Sequence, residues 1–314
     1  MAIREYALRI KHEIQKAVIG QDEAIDQIII AFLAGGHVIL EGVPGLAKTI
    51  LARSFARVIG AGFARIQFTP DLMPSDIIGT GVFNLRESAF VFNKGPVFTN
   101  ILLADEINRT SPKTQSALLE VMQEKQVTVD GTRYPIPLPF MVLATQNPIE
   151  FEGTYPLPEA QLDRFLMKVR VAYPGREAEL GVLRKFADGF DTDDFESVPL
   201  GRVGLEPYAE CRREFSSLRV DDALLAYIQD ITEQTRAHGS VLLGVSTRAA
   251  LCLLNAAKLK AALEGRNYAI PDDVKSSALP VLRHRLILQA DAEIEGKDPD
   301  GIISEILEGV RAPR

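Results

Sequence analysis

The 314-residue chain has no tryptophan, two cysteines and four histidines. Cys211 and Cys252 cannot build a disulfide framework, and neither belongs to a Cys-x-x-Cys pair, so the chain suits a reducing compartment. His12, His37, His238 and His284 are scattered, with no His/Cys spacing of a protein-ligated metal site. The most apolar window, Ile28 to Leu40, is broken by Gly35, Gly36 and His37, well short of the ~20 residues that span a bilayer. Charge enters at Arg4 and Glu5 before any apolar run, which argues against a secretory leader and for a cytoplasmic location. Basic residues are outnumbered 35 to 42, for a formal charge of −7; a chain that coats nucleic acid should be more basic.

What is present is ordinary for a globular protein. At 46% hydrophobic and 25% charged residues, collagen-like, disordered and coiled-coil classes fall away. Short apolar runs alternate with helical patterns up to Pro174. Strands are predicted at His37–Glu41, Ala64–Phe68, Asn100–Asp105, Phe140–Thr145 and Phe165–Tyr173, with helices over Lys48–Ile59 and Pro112–Lys125. Continuous apolar strands separated by helices argue for a mostly parallel sheet covered on both faces. After Pro174-Gly175 the patterns turn helical: 176–187, 221–238, 247–264 and 271–288, with Ser246 and Pro271 as start signals. The stretch 188–196 reads as an acidic solvated loop. The expected division is an α/β domain over 1–175 and an all-α domain over 176–314.

Chemistry concentrates at three strand ends. Gly42-Val43-Pro44-Gly45-Leu46-Ala47-Lys48-Thr49 lies between the first strand and its helix, with Ile50 just inside the helix. Glycines let backbone N–H groups curl around phosphate oxygens at a helix N-terminus. Lys48 would reach the β- and γ-phosphates of a nucleotide and Thr49 would ligate Mg²⁺. Ala47 stands where this pattern usually has a second glycine; a methyl group fits there if φ is negative. The strand Asn100–Asp105 ends in Asp105-Glu106, suited to holding Mg²⁺ through water and to polarising an attacking water. Asn147, ending the next strand, would orient that water.

These runs, with Phe68-Thr-Pro-Asp-Leu-Met-Pro-Ser-Asp-Ile77, Asp105-Glu-Ile-Asn-Arg109, Ala144-Thr-Gln-Asn-Pro148 and Pro158-Glu-Ala-Gln-Leu-Asp-Arg-Phe165, resemble the MoxR family of AAA+ ATPases, from about Glu13 to Gln289. The resemblance implies a P-loop AAA+ domain followed by a helical lid. It implies that Arg164 is an arginine finger, that Arg248 in Gly244-Val-Ser-Thr-Arg-Ala249 is a sensor 2 arginine acting on its own or a neighbour's nucleotide, and that Ile19 and Gly20 lie beside the adenine. Two insertions follow the same pattern. Thr69–Pro96 interrupts the second helix, and Gln126–Pro137 forms a hairpin, which the alternation and Asp130-Gly131 support independently. Their few basic residues, with Met73, Phe83, Phe90 and Phe92, favour polypeptide contact. Gln67 is expected to couple the first insertion to the nucleotide, and Arg109 is a second interface candidate.

The function implied is an ATP- and Mg²⁺-dependent ring ATPase, expected as a hexamer, that remodels protein clients beside a separate von Willebrand factor A domain partner. Its rivals are a DNA-translocating motor related to MCM helicases, disfavoured by the acidic charge, and a nucleotide-binding scaffold without turnover, disfavoured by Lys48, Asp105 and Glu106. A GTP switch lacks its Asn-Lys-x-Asp element, since Asn93-Lys94-Gly95 runs into Pro96.

Overall fold

A computed structural model describes residues 2–86, 88–147, 155–187, 195 and 198–313. The acidic stretch 188–196 therefore lies outside the described residues except for Phe195. The chain opens with α1 (Ala2–Gln15) and α2 (Asp22–Ala34), followed by β1 (Val38–Glu41), α3 (Lys48–Val58) and β2 (Phe63–Gln67). A short α4 (Pro74–Ile78) leads into a hairpin of β3 (Gly79–Asn84) and β4 (Ala89–Lys94). Then come β5 (Ile101–Asp105), α5 (Pro112–Glu124), a second hairpin of β6 (Gln126–Val129) and β7 (Thr132–Pro135), β8 (Met141–Gln146), α6 (Glu159–Leu162) and β9 (Met167–Arg170). The remainder is helical: α7 (Arg176–Ala187), α8 (Tyr208–Ser217), α9 (Asp222–Ala237), α10 (Thr247–Leu263), α11 (Pro271–Leu282), α12 (Ala290–Ile294) and α13 (Pro299–Gly309). A two-stranded ribbon of β10 (Val241–Leu243) and β11 (Ile287–Leu288) is set among these helices.

The sheet is five-stranded and wholly parallel in the order β2-β5-β8-β1-β9. The pleat divides its side chains between two cores. Val38, Leu40, Ile101, Leu103, Met141 and Leu143 face one core; Ile39, Leu102, Ala104, Val142 and Ala144 face the other. The second core is closed by α5 and the hairpin residues Val127 and Ile136. The first is larger. It continues without interruption through α1, α2 and α3 into α8, α9, α10 and α11, so the sheet and the C-terminal helices are sealed by one body of apolar packing.

Three sequence expectations need correction. The helix expected over 271–288 runs through Pro280 and stops at Leu282, where the residues that follow find polar partners outside the helix. The freed segment 283–285 turns back to the edge strand β9: Arg283 donates to the Lys168 carbonyl and His284 to the Phe165 carbonyl. Beyond it, Ile287–Leu288 is extended and pairs with β10, a ribbon where no strand was expected. The strand predicted over 165–173 shortens to Met167–Arg170.

Two histidines are buried and neutral. His37 Nδ1 accepts from the Val142 N–H at 2.9 Å, and Nε2 donates to the Met122 carbonyl at 3.3 Å. Burial pushes its pKa down to about 4, and burial also holds His284 well below the ordinary value. The unfolded chain would protonate both near pH 6.5 while the native one would not. Native stability is therefore complete above pH 6.5 and falls as pH drops towards 4, by up to roughly 3 kcal/mol for His37 alone. Urea unfolding at pH 7.5 and pH 5 checks this; equal midpoints would contradict it.

Candidate active site

Parallel α/β sheets bind ligands outside the carboxyl ends of their strands, where the strand order reverses. Here β1 is followed by β2 at the far side of β8 and β5, so a crevice opens over the ends of β1, β5 and β8. A cleft of about 340 Å³ occupies it, lined by Pro44 to Ile50 and by Asp105, Glu106, Thr145 and Asn147. Gly42 is required by close approach: a Cβ there would lie 2.6 Å from the Val171 carbonyl. Gly45 has φ 85° and open space around it, so conformation alone selects glycine at that position. Ala47 has φ 57°, in the left-handed region, so its methyl group does not meet the negative φ at which it would fit without strain. That conformation costs an alanine roughly 1–2 kcal/mol, and the surrounding turn into α3 imposes it. The Lys48 ammonium donates to the Gly42 carbonyl and, at 3.3 Å, to the Val43 carbonyl, which anchors it over the loop.

The two strand-end carboxylates are held differently. Thr145 Oγ1 donates to Asp105 Oδ1 at 2.6 Å and accepts the Glu106 N–H at 2.8 Å, fixing both residues to the neighbouring strand. Asp105 Oδ2 accepts from Arg65 Nη2 at 2.6 Å and Nε at 3.1 Å. Glu106 has φ 58°, a left-handed conformation of the kind stored at functional turns at a cost of roughly 1–3 kcal/mol. Its Oε2 accepts from Gln67 Nε2 at 2.8 Å and lies 3.2 Å from Arg109 Nε. Gln67 thus ties Glu106 to the end of β2, the strand that leads into the first insertion. Arg109 lies on this chain's own Glu106. Thr49 and Asp105 offer only oxygen donors, the set that suits a hard cation such as Mg²⁺.

Arg164 and Arg248 are not in this cleft. They line a second pocket, of about 240 Å³, with Gly36, His37, Asp163 and Cys252. His37 precedes β1 and Gly42 follows it, so the two sites sit at opposite ends of the parallel strands, roughly 16 Å apart at ~3.3 Å per residue. Arg164 Nη1 donates to the Leu119 carbonyl at 2.7 Å; Arg248, in the first turn of α10, is exposed. Ile19 and Gly20 are also outside the lining of the cleft. Gly20 lies against Pro174 and Ala178, and Ile19 lies against Gly181 in the middle of α7.

Sequence reasoning assigned no role to Thr145 or Arg65. Arg65 had a legible signal: it alternates with Gln67 along β2, so both point to the same face of the sheet. Gln67 is the register partner of Asp105. The two insertions meet through a stacked contact, Phe92 on Tyr134 with ring centroids 4.2 Å apart. Phe83 and Phe90 pack edge to face on the exposed side of the first hairpin.

Residues 37–167 match the family described as the ATPase family associated with various cellular activities (AAA), and residues 233–306 match the AAA lid domain. The chain is 42% identical over 311 residues to Chaperone MoxR1 of Mycobacterium tuberculosis, covering 96% of this chain and 81% of that one. It is 32% identical to Protein MoxR of Methylorubrum extorquens over 99% and 96% of the two chains. A protein of Bacillus subtilis called YeaC, itself uncharacterized, is 47% identical over 96% and 92%. A crystal structure from Cytophaga hutchinsonii, assigned as an ATPase, superposes with a TM-score of 0.89 at 44% identity, covering 100% of this chain and 97% of that one. Among the described residues no helix is long and apolar enough to cross a membrane.

Proposed function

The chain belongs to the MoxR family of AAA+ ATPases, and from that membership and the placement of its arginines we propose a ring-forming, Mg²⁺-dependent ATP phosphohydrolase that remodels or matures protein clients. The observation that carries the reading is the split between the two pockets. The cleft supplies a phosphate loop, Lys48, two carboxylates and Asn147, while Arg164 and Arg248 gather at the other end of the strands. A second copy, packed head to tail, would bring its two arginines to the γ-phosphate in this cleft. Both arginines then act in trans. Such heterologous packing closes into rings, and a hexamer is the expected size.

In this reading Lys48 binds the β- and γ-phosphates, Thr49 and Asp105 hold the cation, and Ile19 and Gly20 flank the base. When bound, Mg²⁺ polarises the phosphoryl oxygens and neutralises their charge. Glu106 takes up the proton of the attacking water and Asn147 orients that water. The bond from Gln67 to one oxygen of Glu106 links this base to β2 and the first insertion, while its other oxygen can accept from the water. The continuous core makes the sheet and its helices one unit, so motion is directed to the boundary between copies. Helix α7 supports that boundary: Leu180, Leu183 and Phe186 are exposed along it, an apolar face suited to a neighbouring copy. The aromatic hairpins would contact a client polypeptide, and a separate von Willebrand factor A domain protein is the expected partner.

The test is ATP turnover per protomer across a wide range of protein concentration, with Glu106→Gln as the blank. A specific rate that climbs with concentration, in step with assembly seen by sizing, is expected. A rate above the blank in a species that sizing shows to be monomeric would refute the shared site.

A further inference from the structure

One buried arginine ties together the two segments that carry Arg164 and Arg248. Arg285 follows the end of α11 and its side chain is 2% exposed. Its Nε donates to Asp163 Oδ1 at 2.7 Å. Its Nη2 donates to the Phe165 carbonyl at 2.5 Å and to the Asp163 carbonyl at 3.2 Å. Its Nη1 donates to the Leu166 carbonyl at 3.2 Å and to the Val281 carbonyl. A guanidinium has five N–H donors in a rigid fork, and here all five meet an oxygen. Four of the five acceptors belong to residues 163–166, the turn that presents Arg164.

The other oxygen of Asp163 reaches the second segment. Asp163 Oδ2 accepts from Ser246 Oγ at 3.0 Å, and Ser246 caps α10, its hydroxyl accepting the Ala249 N–H at 3.2 Å. Arg248 lies between those two residues. Through Asp163 the Arg164 turn is therefore tied to Arg285 by one carboxylate oxygen and to the start of α10 by the other.

We infer that Arg285, acting through Asp163, is a positioning residue that holds Arg164 and Arg248 in one constellation for use on the neighbouring copy's γ-phosphate. The inference rests on the trans reading above. A buried ion pair is by itself weak evidence of stabilisation, since apolar replacements are often neutral, and fixing one geometry is its better-attested use. Two arginines that must meet one phosphoryl group from separate segments need such fixing, because a misplacement of about 1 Å costs ~10²-fold in rate. Lysine at 285 would keep the charge but lose the fork, leaving carbonyls of the turn without donors.

The experiment separates a chain's role as arginine donor from its role as nucleotide acceptor. Chains carrying Lys48→Ala keep their arginines and lack a working loop; chains carrying Arg164→Ala are the reverse. Differently tagged, the two are combined into mixed rings confirmed by pull-down, and turnover is restored where an intact loop meets a neighbour's intact Arg164. Arg285→Lys is then added to one kind at a time. On the Lys48→Ala donor it is expected to reduce restored turnover about 10²-fold; on the Arg164→Ala acceptor it is expected to leave restoration within twofold. Asp163→Asn, which keeps the side-chain volume, should show the same asymmetry. An Arg285→Lys donor that restores fully, or a loss equal on both kinds, overturns the positioning role. Mixed rings without restoration before Arg285 is touched overturn the trans reading, and the positioning role with it.

Discussion

Arg164→Ala is expected to slow ATP turnover by about 10³–10⁵-fold, the usual worth of an arginine finger, while ATP affinity stays within a few-fold. The two effects separate because Arg164 takes no part in lining its own chain's cleft. Its removal leaves the phosphate loop, Lys48 and both carboxylates as they are. On the proposed trans reading it would strip a guanidinium from the transition state in the next copy, where charge spread over the equatorial oxygens most needs it. Phosphate release by preformed rings gives the rate, and equilibrium titration with a fluorescent ATP analogue gives the affinity. If both fell together, Arg164 would be serving its own site or its own fold. Arg248→Ala is expected to share the pattern, being exposed in the same pocket.

Glu106→Gln should slow the chemical step by about 10²–10⁴-fold, the range for loss of a general base, and leave nucleotide bound. The substitution keeps the shape of the side chain and its reach towards Gln67 and Arg109, so the left-handed turn at 106 and the Thr145 contact to its N–H are retained. What it removes is the carboxylate's ability to take a proton. Single-turnover hydrolysis beside ATP binding checks this: binding should match wild type while phosphate appears far more slowly. Wild-type single-turnover rates would move the base to another group.

The sheet and the cleft were legible in the sequence for a shared reason. Strands buried on both faces leave continuous apolar runs, such as Val38 to Leu40 and Ile101 to Ala104, and the functional groups of such sheets follow those runs at the strand ends. Lys48, Thr49, Asp105, Glu106 and Asn147 could all be placed by that rule. Thr145 could not, because a hydroxyl inside a strand looks like any β-branched residue until its neighbour strand is known. Arg285 was hidden more deeply: its partners are 119 and 122 residues away, and nothing local distinguishes it from Arg283. Helix α8, with only Cys211 and Phe215 buried, carried too few apolar positions to stand out. The left-handed φ at Ala47 was not legible, because alanine alone favours negative φ and the loop's geometry overrides that preference.

The single core running from α1 to α11 also has a bearing on how the protein is made. Tyr6 closes its hydroxyl on the Gly204 carbonyl, 198 residues later in the chain. At about 5–20 residues per second of synthesis, the first helix waits roughly 10–40 s before that partner leaves the ribosome. Through that interval Ile3, Ile10 and Ile14, fully covered in the native state, have α2 and α3 to shelter them but not α8 or α10. The newborn chain is thus itself an aggregation-prone species for tens of seconds, and its yield should depend on translation speed and on holding factors acting at the ribosome.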